Sequence, residues 1–443
     1  MDEIVDILEL VKNAGVVGAG GAGFPTHVKL SCKAELVIAN GAECEPLLRV
    51  DQTLMQEQAQ SIVAGLEAAM SIVNATTGII ATKEHYHESV QALEHALKGK
   101  HNIRLHLMKS YYPAGDEKSL IYDVTGRVVP SAKLPLDVNC VVVNIGTLAN
   151  ITNALKGKPV IEKHLTIGGA VDNPVTLCAP IGMPIRELLK FAGFKGSIEN
   201  FALIVGGPCM GYLLEDWDEV VTKTTGGILV FPRSHPLIAQ WKRSISQQIK
   251  LAQAVCCQCS QCTQLCPRNA LGLNVQPHKV MRAVAYADAR LIADENGVLA
   301  CSSCGLCTNY ACNFGLSPSL MMSRMKEMLT KAGVKPSPES DIKPDGEGIL
   351  KRVPTARLIA RMALSEYDVP APLLKNKINT NRVRIPLKMH IGKPAIPIIQ
   401  EGDIVNRGDL IATIPEKSLG ATVHASISGR ITKVTEHSIE IKA

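Results

Sequence analysis

"VVGAGGAGFPTHVKL", residues 16–30, sets Gly18-Ala19-Gly20-Gly21-Ala22-Gly23 in the spacing G-x-G-x-x-G. In a dinucleotide-binding βαβ unit, glycines so spaced allow a tight turn and close approach of backbone N–H groups to a pyrophosphate. That unit also needs a strand before the loop, a helix after it, and an acidic residue about twenty positions on. Glu43 lies twenty residues beyond Gly23. The flanks disagree. Residues 3–14 place Ile4, Val5, Ile7, Leu8 and Val11 at helical spacing with Gly15 as a cap, which leaves only Val16 and Val17 for a strand. Phe24-Pro25-Thr26 stands where the helix should be running. The stretch reads as a glycine bed that brings N–H groups against a phosphate or a flat ring. Taken alone, the same six residues also fit an ordinary tight turn.

Outward from the loop, "AELVIANG" (34–41) and "CVVVNIG" (140–146) are short apolar runs that end on a polar residue and a glycine, as buried strands do. Helical stretches at 57–72 and 89–97 separate them, and the alternation predicts an α/β layer to about residue 160. Between Thr166 and Pro232, β-like runs surround one helix, "PIRELLKFAG", which predicts a small α+β unit of β-grasp type. Residues 245–333 read as mostly helical. "KPSPESDIKPDGEG" (335–348) has the composition of a linker, and the last sixty or so residues alternate short strands with glycine turns.

The 443 residues carry a net charge of +6 and only 4% aromatics, which leaves little for a nucleic-acid surface. No apolar run reaches the roughly 18–20 residues of a membrane span. The N-terminus lacks a basic segment before an apolar one, so a cytoplasmic protein is expected. Of fourteen cysteines, nine fall between Cys256 and Cys312, which in a reducing compartment points to metal. Cys256-x2-Cys259-x2-Cys262-x3-Cys266-Pro267 is the bacterial ferredoxin run, and Cys301-x2-Cys304-x2-Cys307-x4-Cys312 repeats it with one residue more. In two-cluster ferredoxins each run lends its fourth cysteine to the other cluster. The expected ligands are therefore Cys256, Cys259, Cys262 and Cys312 for one [4Fe–4S] cluster, and Cys301, Cys304, Cys307 and Cys266 for the second. Zinc is the alternative, but its sites pair two C-x2-C units across a spacer. Cys257 is out of phase. Met321, Met322, Met325 and Met328 form a stripe expected to pack in the core near the clusters.

"GAGGAGFPTHVKL", "NGAECEPLL", "YYPAGDEKSL" and "VNIGTLAN" together resemble the flavin-binding subunit of respiratory complex I. They are closer still to the C subunit of Rnf electron-transport complexes and to the cobalamin reductases of propanediol-utilisation microcompartments. "RVPTARLIARMALSEYD" (352–368) extends the likeness. The resemblance implies FMN, with Gly18, Gly20, Gly21 and Gly23 facing the flavin and its phosphate, and Lys29 supplying a positive charge. Asn40 and Glu43 would bind the ring or ribityl chain, and Asn144 and Thr147 the phosphate side. Gly115, Asp116 and Glu117 match the segment beside flavin and nicotinamide nucleotide. Phe24 matches an aromatic that stacks on the adenine of NADH, whereas Cys32 stands where complex I subunits have a second aromatic.

By the same resemblance, the chain is an oxidoreductase carrying electrons from NADH through FMN and two [4Fe–4S] clusters to cobalamin. An adenosyltransferase partner and a place inside a bacterial microcompartment are implied, and no catalytic acid or base is needed. A ferredoxin-linked Rnf-like subunit and a non-enzymatic relay are the rival readings. The likeness also makes 381–443 a biotinyl/lipoyl-like barrel-sandwich, unmodified because Ser418 replaces the attachment lysine, with Lys417 one place early. Its C-terminal position is that of the microcompartment reductases. The fold expected is multidomain: an FMN- and NADH-binding α/β domain (1–160), a soluble-ligand-binding β-grasp domain (161–235), a helical ferredoxin-like double-cluster module (245–333), a linker with a helical segment (334–380), and the barrel-sandwich. Cys209 and Met210 in "GGPCMG" are placed where a corrin could touch, although no D-x-H-x-x-G motif is present.

Overall fold

The computed structural model describes residues 2–21, 23–292, 294–337 and 342–443, and for residues 2–6 and 349 the backbone alone. Ala22 of the glycine loop, the side chains of Ile4 and Val5, and part of the expected linker lie outside the described residues.

The two apolar runs are adjacent parallel strands, Leu36–Gly41 and Cys140–Asn144. Thr77–Lys83 and Ile103–Met108 complete an all-parallel sheet whose strands run third, second, first, fourth in chain order. Near-continuous Val, Ile and Ala in the central strands is what a sheet covered on both faces requires. Helix Ala59–Val73 covers one face and packs against Ile145–Leu155. A Cβ on Gly65 would lie 2.0 Å from the Leu148 carbonyl oxygen, so only glycine allows this approach. The helix expected at 57–72 is two, Val50–Glu57 and Ala59–Val73, broken at Gln58; that expected at 89–97 runs His87–Ala96.

Helix Asp2–Asn13 packs on the same pair of helices, and Gly15 follows it in the left-handed region. Val17 then makes a single bridge to Pro25 in place of a strand. The glycine loop is thus a closed excursion pinched at its base, where Gly18 N–H donates to the Phe24 carbonyl at 2.9 Å.

The second unit is a mixed five-stranded sheet in the order Val175–Pro180, Glu162–Gly169, Gly227–Pro232, Phe201–Val205, Tyr212–Leu214. Only its central pair, Glu162–Gly169 with Gly227–Pro232, is parallel. In the cysteine region, helices Ile245–Val255, Pro277–Tyr286 and Pro318–Lys331 enclose a small core around Leu273, Val280 and Met322. Met321 joins that core, but Met328 is 65% exposed, so the methionine stripe leaves the core at its far end.

Strand Val353–Pro354 pairs with Tyr111–Tyr112, tying the segment after the linker into the first unit. Two small antiparallel sheets form the C-terminal unit. Its core, including Val383, Ile411 and Ile441, continues without a break into that of the first unit. Across this seam the buried Lys223 Nζ donates to the carbonyls of Gly15 (2.6 Å) and Thr422 (2.8 Å). Among the described residues no helix is long and apolar enough to cross a membrane.

Candidate functional site

In an open parallel sheet, a crevice opens at the C-terminal strand ends where the strand order reverses. Here the reversal falls between Leu36–Gly41 and Cys140–Asn144, and Asn40 and Asn144 face each other in register at that end. Asn40 Nδ2 donates to the Gly115 carbonyl at 3.0 Å, bringing the "AGDE" segment over the strand end. A Cβ on Gly115 would lie 2.9 Å from Cys44 Sγ and 3.2 Å from Asn40 Oδ1, so the approach requires glycine. Asn144 caps helix Ile145–Leu155: its Oδ1 accepts from Gly146 N–H at 2.9 Å while its Nδ2 donates to Asp51 Oδ2 at 2.9 Å.

The glycine loop lies against this cap: a Cβ on Gly20 would meet the Asn144 side chain at 3.4 Å. Ala19 N–H donates to Thr147 Oγ1 at 2.9 Å, and the Ala19 carbonyl accepts from Lys163 Nζ at 2.7 Å. Gly20 and Gly21 are exposed, and among the described residues their N–H groups have no partner. Free backbone donors beside the N-terminus of an eleven-residue helix form an anion-binding cradle. This is the chemistry a flavin phosphate needs, and the loop fits it.

Charges are concentrated below the loop. Glu43, partly buried with a φ of 39°, accepts from Gln52 N–H at 2.9 Å, and burial pushes its carboxyl up. Asp51 is pushed up by burial and by the like charge of Glu43. Burial lowers Lys163 to about 8 against the pull of Asp51 and Glu43. At the rim, Lys29 pairs with Glu117 at 2.9 Å, both about one-third exposed, and Phe24 is half-buried at the loop base. Asp116 turns the other way. It caps helix Glu117–Thr125, accepts from Ser119, and takes both Arg268 Nη2 (2.6 Å) and Nε (2.7 Å).

Arg268 follows Cys266-Pro267, so Asp116 joins the crevice to the cysteine module. Cys266 neighbours Cys301 and Cys304, and Cys307 neighbours all three, each thiol being pushed up chiefly by burial. Burial and the nearby Cys312, Cys259 and Cys256 push Cys262 up to about 12. Each run thus has the last cysteine of the other beside it, while Cys257 and Cys259 are both exposed. Among the described residues no three Cys, His, Asp or Glu side chains lie close enough to hold one metal ion. Cys256, Cys257, Cys259, Cys262 and Cys312 instead line one small opening with His278 and Phe314. An all-thiolate set around such an opening has the chemistry of an iron–sulfur cluster.

Tyr112 makes a second link. Its hydroxyl is 2.5 Å from the Cys304 carbonyl and 3.1 Å from Glu45 Oε1. One phenol carries one proton, so both contacts are satisfied when Tyr112 donates to Cys304 and a protonated Glu45 donates to Tyr112. Burial, which raises Glu45 to about 7, agrees. Glu45 also accepts from Cys209 N–H at 2.9 Å, placing buried Cys209 in this junction, whereas Met210 is exposed.

Sequence reasoning missed Asp51, Glu45, Tyr112, Lys163 and Arg268. Glu45 and Tyr112 fall inside recognisable motifs, and Arg268 follows a Cys-Pro. Lys163 has no local signal, because it reaches the loop from another unit.

Residues 11–153 match the Nuo51 FMN-binding domain, 255–317 a 4Fe-4S dicluster domain, and 371–443 the RnfC barrel sandwich hybrid domain. The class these define is a flavo-iron–sulfur oxidoreductase. The cobalamin reductase PduS of Citrobacter freundii is 43% identical over 98% of this chain and 96% of its own length. PduS of Salmonella typhimurium is 42% identical with the same coverage. The C subunit of the Na(+)-translocating ferredoxin:NAD(+) oxidoreductase complex of Acetobacterium woodii is 38% identical over 61% of this chain and 59% of its own. The chain belongs to the cobalamin reductase PduS family.

Proposed function

We propose that this protein carries electrons from NADH to cobalamin by way of FMN and two [4Fe–4S] clusters. The observation that carries the reading is the double link, Asp116 to Arg268 beside the last cysteine of the first run and Tyr112 to Cys304 in the second, between the crevice and the cysteine module. FMN, when bound, supplies the conversion of a hydride's electron pair into single electrons. The glycine loop, Asn144 and Thr147 would hold its phosphate side, Asn40, Glu43 and Gly115 the ring side, and Lys29, Glu117 and Phe24 the rim where the nucleotide enters. Cys301, Cys304, Cys307 and Cys266 would hold the cluster facing the crevice. Cys256, Cys259, Cys262 and Cys312 would hold the outer one, beside exposed Cys257 and half-exposed Phe314.

Cobalamin as acceptor is supported by the names of the two PduS relatives. From that follow an adenosyltransferase as partner and a propanediol-utilisation microcompartment as location. The order of the mixed sheet, with first and last strands parallel at its centre, supports the β-grasp reading. Ser418 in the place of the attachment lysine supports an unmodified barrel.

Anaerobic titration of the reconstituted protein with NADH tests this. NADH should bleach flavin and cluster absorbance, and added cobalamin should restore both while its own reduced bands appear. Restoration by ferredoxin and not by cobalamin would favour the ferredoxin-linked function for which the Acetobacterium relative is named. No bleaching would remove NADH as donor.

A further inference from the structure

Lys163 belongs to the mixed sheet, on strand Glu162–Gly169, yet its side chain ends under the glycine loop of the first unit. Only 7% of it is exposed, and burying an ammonium is costly unless it makes specific bonds. Its bond is to the carbonyl of Ala19, the residue just before the two free N–H groups. In a trans peptide the carbonyl and the following N–H point in opposite directions. Holding the Ala19 oxygen inward therefore turns the Gly20 N–H outward, into the exposed mouth of the loop. The other side of Ala19 is fixed by Thr147, so the residue is clamped at both ends. Gly20 and Gly21 have no such restraint of their own. Gly21 sits at a φ of +117°, and a Cβ there would meet nothing within 4 Å. Without the lysine, the Ala19–Gly20 peptide is free to turn its carbonyl oxygen toward the ligand, where it would repel an anion.

We propose that Lys163 is a positioning residue: it fixes the Ala19–Gly20 peptide so that the Gly20 N–H faces the phosphate of a bound flavin nucleotide. The inference rests on the reading of this loop as an FMN cradle. It makes the mixed-sheet unit part of the flavin site and places a positive charge behind the row of N–H donors. Lys29 does not serve that role, because it lies at the rim in an ion pair with Glu117.

The test uses the full chain, stripped of flavin and reloaded, with FMN and phosphate-free riboflavin as probes. The readout is the ratio of their dissociation constants, together with the phosphorus resonance of bound FMN. Lys163→Met should weaken FMN by about tenfold to a hundredfold, the worth of one charged hydrogen bond. Riboflavin should change by less than about threefold, and the phosphorus resonance should shift. Lys163→Gln, which keeps a donor and loses the charge, should fall between, and it carries the test if the Met variant does not fold. Lys223→Met removes another buried lysine that bonds two carbonyls outside the loop; it should lower Tm and leave the ratio unchanged. Equal loss of FMN and riboflavin, or no loss of either, in the Lys163 variants would overturn the proposal. Failure of the unaltered protein to prefer FMN over riboflavin would overturn the reading of the loop itself.

Discussion

A carboxyl set between a phenol and a backbone N–H shows how single residues are tuned in this molecule. Glu45 reaches about 7 from an ordinary 4.5 because burial disfavours its charge, and the Cys209 N–H recovers only part of that. The folded-state value is raised, so the folded protein holds this proton more tightly than the unfolded chain. The associated stability is fully present below pH 4.5 and is lost as pH rises to about 7. Glu45→Gln keeps the shape and a donor to Tyr112 but does not ionise. Relative to that variant, the unaltered protein should lose up to about 3 kcal/mol across this window, less whatever solvent screens at its open edge. Thermal melts of both proteins between pH 5 and pH 8 measure the difference. Parallel curves would mean that Glu45 is ionised throughout and that Tyr112 donates to it.

At the scale of elements, the close crossing of Ala59–Val73 with Ile145–Leu155 sets the height of the helix that carries Thr147. Helix propensity alone predicts that Gly65→Ala stabilises by about 1 kcal/mol. The clash with the Leu148 carbonyl predicts the opposite sign. Overpacking of this kind costs about 1–3 kcal/mol, so the variant should melt at lower temperature and bind FMN more weakly. A rise in Tm with unchanged affinity would show that the helices are free to separate. The same elements show what was legible beforehand. Leu36–Gly41 and Cys140–Asn144 could be read because both are apolar throughout, as central strands are. Thr77–Lys83 and Ile103–Met108 escaped, the first because glycine, threonine and a buried lysine interrupt it. The second is an edge strand with Arg104 and His106 among its residues. The glycine loop, the two asparagines and the cysteine spacing were legible because their chemistry is local. Asp51 and Lys163 were not, since burial brings them to the loop from distant parts of the chain.

Over the whole molecule, polar ties, several of them buried, join the units, and these were invisible in the sequence. The core of the C-terminal unit is continuous with that of the first, and Ile391 N–H of that unit donates to the Gly23 carbonyl at 3.0 Å, so this barrel buttresses the glycine loop. Asp116 and Arg268, with side chains 7% and 11% exposed, form the tie between the crevice and the cysteine module. A bidentate arginine–carboxylate pair fixes both distance and orientation. It thereby sets the separation between the crevice and the loop of Cys266. Asp116→Asn removes the charge, keeps one acceptor, and leaves every cysteine in place. Iron content and FMN affinity should be retained. In rapid mixing with NADH, the flavin should bleach at close to the normal rate, while bleaching of the clusters should lag by about tenfold or more. Breaking a buried pair of this kind typically costs about 3–5 kcal/mol, so a lowered Tm should accompany the lag. If instead flavin bleaching slows and the clusters follow without delay, Asp116 serves the nucleotide, as the resemblance to complex I subunits implies. The junction with the cysteine module would then rest on Tyr112 and Cys304.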